Sequence, residues 1–144
     1  ITVDPSSSIA SYNTMTSFTV TGSNIDNDTA AITVGAKSGN TSEFGTIATI
    51  NVTLATIPTA NVSIVVTDND STEISITPTT LTITPSTWNS TNQVTLTGQD
   101  DSDNDGNITF RISFDNATST DSKYNGMAPS PAYVDVINVD DYAD

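Results

Sequence analysis

Apolar and polar residues alternate with a period of two through most of this chain. Ala48, Ile50, Val52 and Leu54 share one side of the run 46–54. Val62, Ile64 and Val66 do so in 61–67, Val94 and Leu96 in 92–98, and Ile108, Phe110, Ile112 and Phe114 in 107–114. Such alternation predicts strands with one buried face and one wet face. Weaker runs lie near 31–34, at 73–77 with a resumption at 81–84 after Pro78, and at 132–139. In chain order these are strands A to G. No run has the period of a helix. Short strands divided by turn residues predict an all-β, seven-strand, Ig-like antiparallel β-sandwich.

The two ends of the chain echo each other. Ser11-Tyr12-Asn13-Thr14-Met15 resembles Lys123-Tyr124-Asn125-Gly126-Met127, at an offset of 112 residues. Asn24-Ile25-Asp26-Asn27-Asp28 resembles Asn138-Val139-Asp140-Asp141, at an offset of 114. Two landmarks at nearly one offset predict a repeating unit of about 113 residues. The chain then divides into 1–28, the tail of a preceding repeat or a strand-donating segment, a sandwich over 29–141, and a linker over 142–144. The tail supplies only strands F, near Ile1 to Val3, and G, near Phe18 to Val20. Two strands cannot bury their own apolar face, so this segment is expected to pair with a neighbouring repeat or with an identical subunit by strand addition or end-to-end packing.

Charge changes the picture next. Three basic residues stand against seventeen acidic ones, a net charge of −14. That excludes nucleic acid and anionic membranes as natural partners and favours cations. No stretch is long and apolar enough to insert into a membrane. If successive strands alternate in direction, the A–B, C–D and E–F loops and the exit of G share one end. That end collects ten of the seventeen carboxylates: Glu43, Asp68, Asp70, Glu73, Asp100, Asp101, Asp103, Asp105, Asp140 and Asp141. The densest run is Gln99 to Asn107. At ~5 Å and an effective dielectric of ~20, each like-charge pair costs roughly 3 kcal/mol. A hard cation relieves that repulsion. Asp101, Asp103, Asp105 and Gly106 match the first half of a Ca²⁺ loop, with alternating oxygens and a glycine for the turn. An EF-hand has a bidentate Glu at its twelfth position, where this chain has Ile112, so the remaining ligands come from elsewhere in the fold.

Composition removes other chemistries. The chain has no cysteine and no histidine. That excludes disulfides, Ser-His-Asp and Cys-His catalysis, and most zinc sites. Ser and Thr occupy 45 of the 144 positions, which favours strands and turns. Asn-x-Ser/Thr occurs eight times. Asn51, Asn89 and Asn116 lie away from the acidic end and are the candidate carriers of N-linked glycans. Trp88 is expected to cap the core at the D–E turn, Tyr124 to anchor the F–G loop, and Arg111 to be a surface charge.

The run Thr-Ser-Glu-Phe-Gly-Thr (41–46), the stretch Leu-Thr-Ile-Thr-Pro-Ser-Thr-Trp-Asn (81–89), the strand Gln-Val-Thr-Leu-Thr-Gly (93–98) and the Asp-Asp pair after it resemble Calx-beta repeats. The tandem forms in large bacterial and archaeal surface proteins are the most similar. The resemblance covers roughly 29–141. It implies a sandwich that binds Ca²⁺ at one tip, with ligands at Glu43, at Asp100 and Asp101, and at Asp140 and Asp141, and a C–D contribution from Asp68 or Asp70. The E–F loop departs from the Glu-rich run of the animal exchangers. That leaves open how many ions bind and whether Asp103 and Asp105 serve a second one.

Two functions follow as expectations. The first is a non-catalytic, Ca²⁺-stiffened structural module of an extracellular adhesin or cell-surface filament. The alternative is a Ca²⁺-dependent recognition domain whose loops bind glycan or a protein. An enzyme would pair carboxylates beside a pocket, and no motif in the chain identifies such a pair.

Overall fold

The computed structural model describes residues 2–3, 16–100 and 105–140. Among them the strands are β1 (Thr2–Val3), β2 (Phe18–Thr19), β3 (Ile32–Lys37), β4 (Thr41–Ser42), β5 (Ile47–Leu54), β6 (Val62–Asp68), β7 (Ile74–Thr77), β8 (Thr80–Ile83), β9 (Asn92–Gly98), β10 (Ile108–Phe114), β11 (Thr118–Ser119) and β12 (Tyr133–Val139). Helices are absent from the described residues.

Two sheets form a sandwich-like arrangement. One has the order β3-β5-β9-β7. In the other, β6, β10 and β12 lie side by side, β8 and β11 add to β6, and β4 closes the far edge beyond β12. The alternation read from the chain sets what lies between the sheets. Ala48, Ile50, Val52 and Leu54 of β5 are all buried, as are Val62, Ile64 and Val66 of β6, and Phe110, Ile112 and Phe114 of β10. Their partners across the core include Val94 and Leu96 of β9 and Val136 of β12. Each large aliphatic or aromatic side chain removed from water contributes about 1.5–3 kcal/mol, which drives the sheets together.

Four features add to the simple expectation or depart from it. Strand D belongs to both sheets: β7 pairs with β9, whereas β8 pairs with β6. Pro78 lies between them and has no N–H to donate, so the ladder breaks and the chain crosses over. The sandwich is also not wholly antiparallel, because β4 runs parallel to β12. Strand A reaches Lys37, past the expected 31–34, with a register irregularity between Val34 and Lys37. Finally, β1 and β2 form a separate two-stranded antiparallel ribbon.

Candidate metal centre

The A–B loop is drawn to the acidic end by backbone pairing. Thr41 pairs with Asn138 and Ser42 with Val139, and the Glu43 N–H donates to the Val139 carbonyl at 3.1 Å. Gly98 makes this approach possible. A Cβ there would lie 2.1 Å from the Ser42 carbonyl oxygen and 2.6 Å from Asn138 Oδ1. Only a residue without a side chain lets β9 and the A–B loop touch. Gly45, at φ +75°, then turns the loop, with its N–H on the Ser42 carbonyl at 2.9 Å. The result is a buried Glu43.

Glu73 enters the same region from the other sheet. It is buried just before β7, and its Oε2 accepts a hydrogen bond from Asn138 Nδ2 at 3.0 Å. Gln99 binds back to it, its N–H donating to the Glu73 carbonyl at 3.0 Å. Asp140, also buried, accepts from the Gly106 N–H at 3.0 Å through Oδ2, and its own N–H donates to Asn107 Oδ1 at 3.1 Å. The exits of the E–F loop and of β12 are therefore tied together.

Three carboxylates, Glu43, Glu73 and Asp140, are thus buried at one end of the sandwich, each no more than 7 % exposed. Burial of a carboxylate is costly unless donors or a cation compensate it. Asn138 is 1 % exposed, and its Oδ1 has no hydrogen-bond partner. A buried amide oxygen in that state calls for a missing donor, a water or an ion. The donors here are all oxygens, which suits Ca²⁺ rather than the softer metals. Among the described residues, however, no group of three or more Asp or Glu side chains converges to hold a metal ion on its own.

The expected ligands divide accordingly. Glu43 and Asp140 lie buried at the tip, joined by Glu73, which the loop parity had placed at this end without assigning it as a ligand. Asp68 continues the inward series of β6, but its Oδ1 accepts from the Asp70 N–H at 3.1 Å. Asp70 Oδ1 accepts from Thr72 Oγ1 at 2.7 Å, so the C–D loop is closed on itself. Asp100 and Asp105 are exposed. Asp101, Asp103 and Asp141 lie outside the described residues. Asn138 was not an expected site residue; its signal was the Asn-x-Asp echo at 24–26.

The opposite end carries a different network. Tyr124 is fully buried, and its hydroxyl donates to the Thr56 carbonyl at 2.6 Å while accepting from the Thr56 N–H at 3.1 Å. Asp121 Oδ2 accepts from the Thr59 N–H at 2.7 Å, and Oδ1 from the Lys123 N–H at 2.9 Å. Those bonds hold its carboxyl below the usual carboxylate range. Tyr124 thus anchors the F–G loop on the B–C loop, and Trp88 packs half-buried against the core. Arg111 is an exposed charge: it binds Asp135 at 2.8 Å and lies 3.7 Å from the centre of the Tyr133 ring. Asn51, Asn89 and Asn116 all face solvent.

No family model and no curated protein matches the chain.

Proposed function

We propose that this chain is a non-catalytic, Ca²⁺-binding structural module of an extracellular adhesin or surface filament, a Calx-beta-like sandwich whose acidic end is stiffened by the ion. One observation carries the reading: the buried Asn138 carbonyl oxygen without a partner, on a side chain whose Nδ2 binds the buried Glu73, at the sandwich end where Glu43 and Asp140 are also buried. Glu43, Asp140 and the Asn138 oxygen are the donors that would hold the ion. The exposed Asp100 and Asp105, together with the loop acids Asp101, Asp103 and Asp141, would complete or extend the set, and the ion would offset their mutual repulsion. The resemblance of 41–46, 81–89 and 93–98 to Calx-beta repeats supports the same assignment. The test is the melting temperature with Ca²⁺, with Mg²⁺ and with a chelator. Ca²⁺ raises it, Mg²⁺ raises it less because of its stricter octahedral demand, and Asp100→Asn with Asp101→Asn removes most of the gain. Identical melting in calcium and in chelator ends this proposal.

The recognition reading retains one specific support. Phe44, next to Glu43, is 73 % exposed at the acidic end. An apolar ring there suits a protein contact better than a sugar. Under that reading Phe44→Ser abolishes ligand capture while leaving the calcium-dependent melting shift intact.

A further inference from the structure

The ribbon β1–β2 and the strand pair β10–β12 are joined in the same register. In the ribbon Thr2 pairs with Thr19 and Val3 with Phe18. In the sandwich Ser113 pairs with Tyr133, and the next pair, Phe114 with Ala132, is closed by the Phe114 N–H on the Ala132 carbonyl at 2.9 Å. Adding 111 to the first strand of the ribbon and 114 to the second converts one set of pairs into the other. These offsets also lay Ile1-Thr2-Val3-Asp4 on Ile112-Ser113-Phe114-Asp115, and Asn24-Ile25-Asp26 on Asn138-Val139-Asp140. The connecting segments differ in length by three residues, yet the register survives. A slip of one residue would have turned every side chain to the other face.

The shared register states what the ribbon lacks. In β12 the inward series is Val134, Val136 and Asn138. The ribbon strand and its continuation place Val20, Gly22 and Asn24 at those positions, with Phe18 at the place of Ala132, which is exposed in the sandwich, at the margin of that face. In the sandwich that face lies under the sheet β3-β5-β9-β7, and the free edge of β10 is taken by β6. Val20, just past β2, is 55 % exposed where its counterpart Val134 is half-buried, and Phe18 presents a far larger apolar surface, 59 % exposed, than Ala132 at the same place. The Asp26 carboxylate, aligned with Asp140, meets Lys123 Nζ of the F–G loop at 3.0 Å. The acid-bearing end of the ribbon is therefore turned to the sandwich end that carries the B–C and F–G loops.

We propose that the β1–β2 ribbon is the closing F–G hairpin of a second sandwich, and that its cover is a part equivalent to residues 29–111 of this chain, strands A to E with the first residues of F. A second intact copy does not fit that role, because its four-stranded sheet is already covered by its own β10 and β12. The occupant is a half-sandwich with an open apolar face and an unfilled strand edge beside its strand C. When the half is in place, the two units sit end to end, the acidic end of one against the F–G end of the next. This assignment does not depend on calcium.

The experiment extends the full chain at its N-terminus with a further copy of its own residues 29–111 and follows amide hydrogen exchange. The amides of β1 and β2 slow by at least tenfold, toward the protection of β10 and β12, and the added copy becomes protected with them. Placing Ile50→Asp and Val94→Asp in the added copy alone abolishes both effects. A folded added copy with β1 and β2 exchanging as fast as in the unextended chain overturns the assignment. So does dimerisation of the unextended chain that Phe18→Ser removes, since a second copy would then be the cover. If the added copy does not fold, a pair of variants decides. Phe114→Val lowers the melting temperature, and adding Ala132→Phe, which recreates the Val3 and Phe18 pair in the sandwich, raises it again. A further fall in the double variant overturns the proposal.

Discussion

Asn138 and Glu73 are joined side chain to side chain at 3.0 Å across 65 positions of sequence, both of them buried. The bond links the end of β12 in one sheet to the start of β7 in the other. It closes the acidic end of the sandwich while leaving the Asn138 oxygen beside Gly98 with no hydrogen-bond partner.

Asn138→Asp adds a fourth buried acid at this end, directly against Glu73. It removes the Nδ2 donor and adds a charge, so in chelator it destabilises the fold by about 2–4 kcal/mol. In millimolar Ca²⁺ the penalty shrinks, because the new oxygen is a stronger ligand than the amide. Denaturant titration in both conditions reads the two values. A penalty that is equal or larger with calcium argues against an ion beside Asn138.

Gly98→Ala forces a methyl group into the Ser42 backbone, which lies 2.1 Å from the Cβ position. Backbone cannot move aside as a flexible side chain does. The expected loss is about 1–3 kcal/mol or more, with β4 displaced from β12. Chemical denaturation measures the loss, and faster exchange at the Glu43 amide, which is bonded to Val139, locates it.

Tyr124→Phe deletes the hydroxyl that both donates to and accepts from the Thr56 backbone. The Thr56 groups lose their partner near a buried ring, at a cost of about 1–3 kcal/mol. The melting temperature falls, and the B–C loop becomes more readily cleaved by protease. Unchanged cleavage would show that Asp121 alone holds the two loops together.

The Asp121 carboxyl sits below its ordinary range, first because of the Thr59 N–H and then the Lys123 N–H. A carboxyl depressed in the folded state stabilises the fold above its unfolded pKa, and that contribution is lost as pH falls through the folded value. Stability therefore declines on acidification below about pH 4. Asp121→Asn lowers stability at pH 7 and flattens the slope below pH 4. Urea midpoints across that range, for the chain and the variant, give the comparison.

Native material should carry added mass where the source glycosylates asparagine. Asn51, Asn89 and Asn116 are exposed, although Asn51 Oδ1 also accepts from Gln93 Nε2 at 3.1 Å. Intact mass before and after glycosidase treatment checks this. A mass equal to the bare polypeptide would reduce the eight sequons to a consequence of the Thr-rich composition.

By itself the sequence determined the strands and their buried faces, because the two-residue period is local. Ile50, Ile64, Leu96 and Phe110 announce their side by spacing alone, and the hydrophobic effect then leaves one way to close the sheets. Loop parity likewise placed Glu43, Glu73 and Asp140 at one end, since strand direction follows from strand count. Only the tertiary structure decided which acids are buried together. Glu43 reaches the tip through the parallel pairing of β4 with β12 and the gap at Gly98, neither of which has a periodic signal. Asp68 and Asp70 accept an N–H and a hydroxyl from two residues further along their own loop, bonds that the pattern of strands does not announce. The split of strand D between the sheets, and the bond of the Asn138 amide to Glu73, rest on contacts across dozens of residues. Such contacts depend on where the backbone lies in space, which no local pattern encodes.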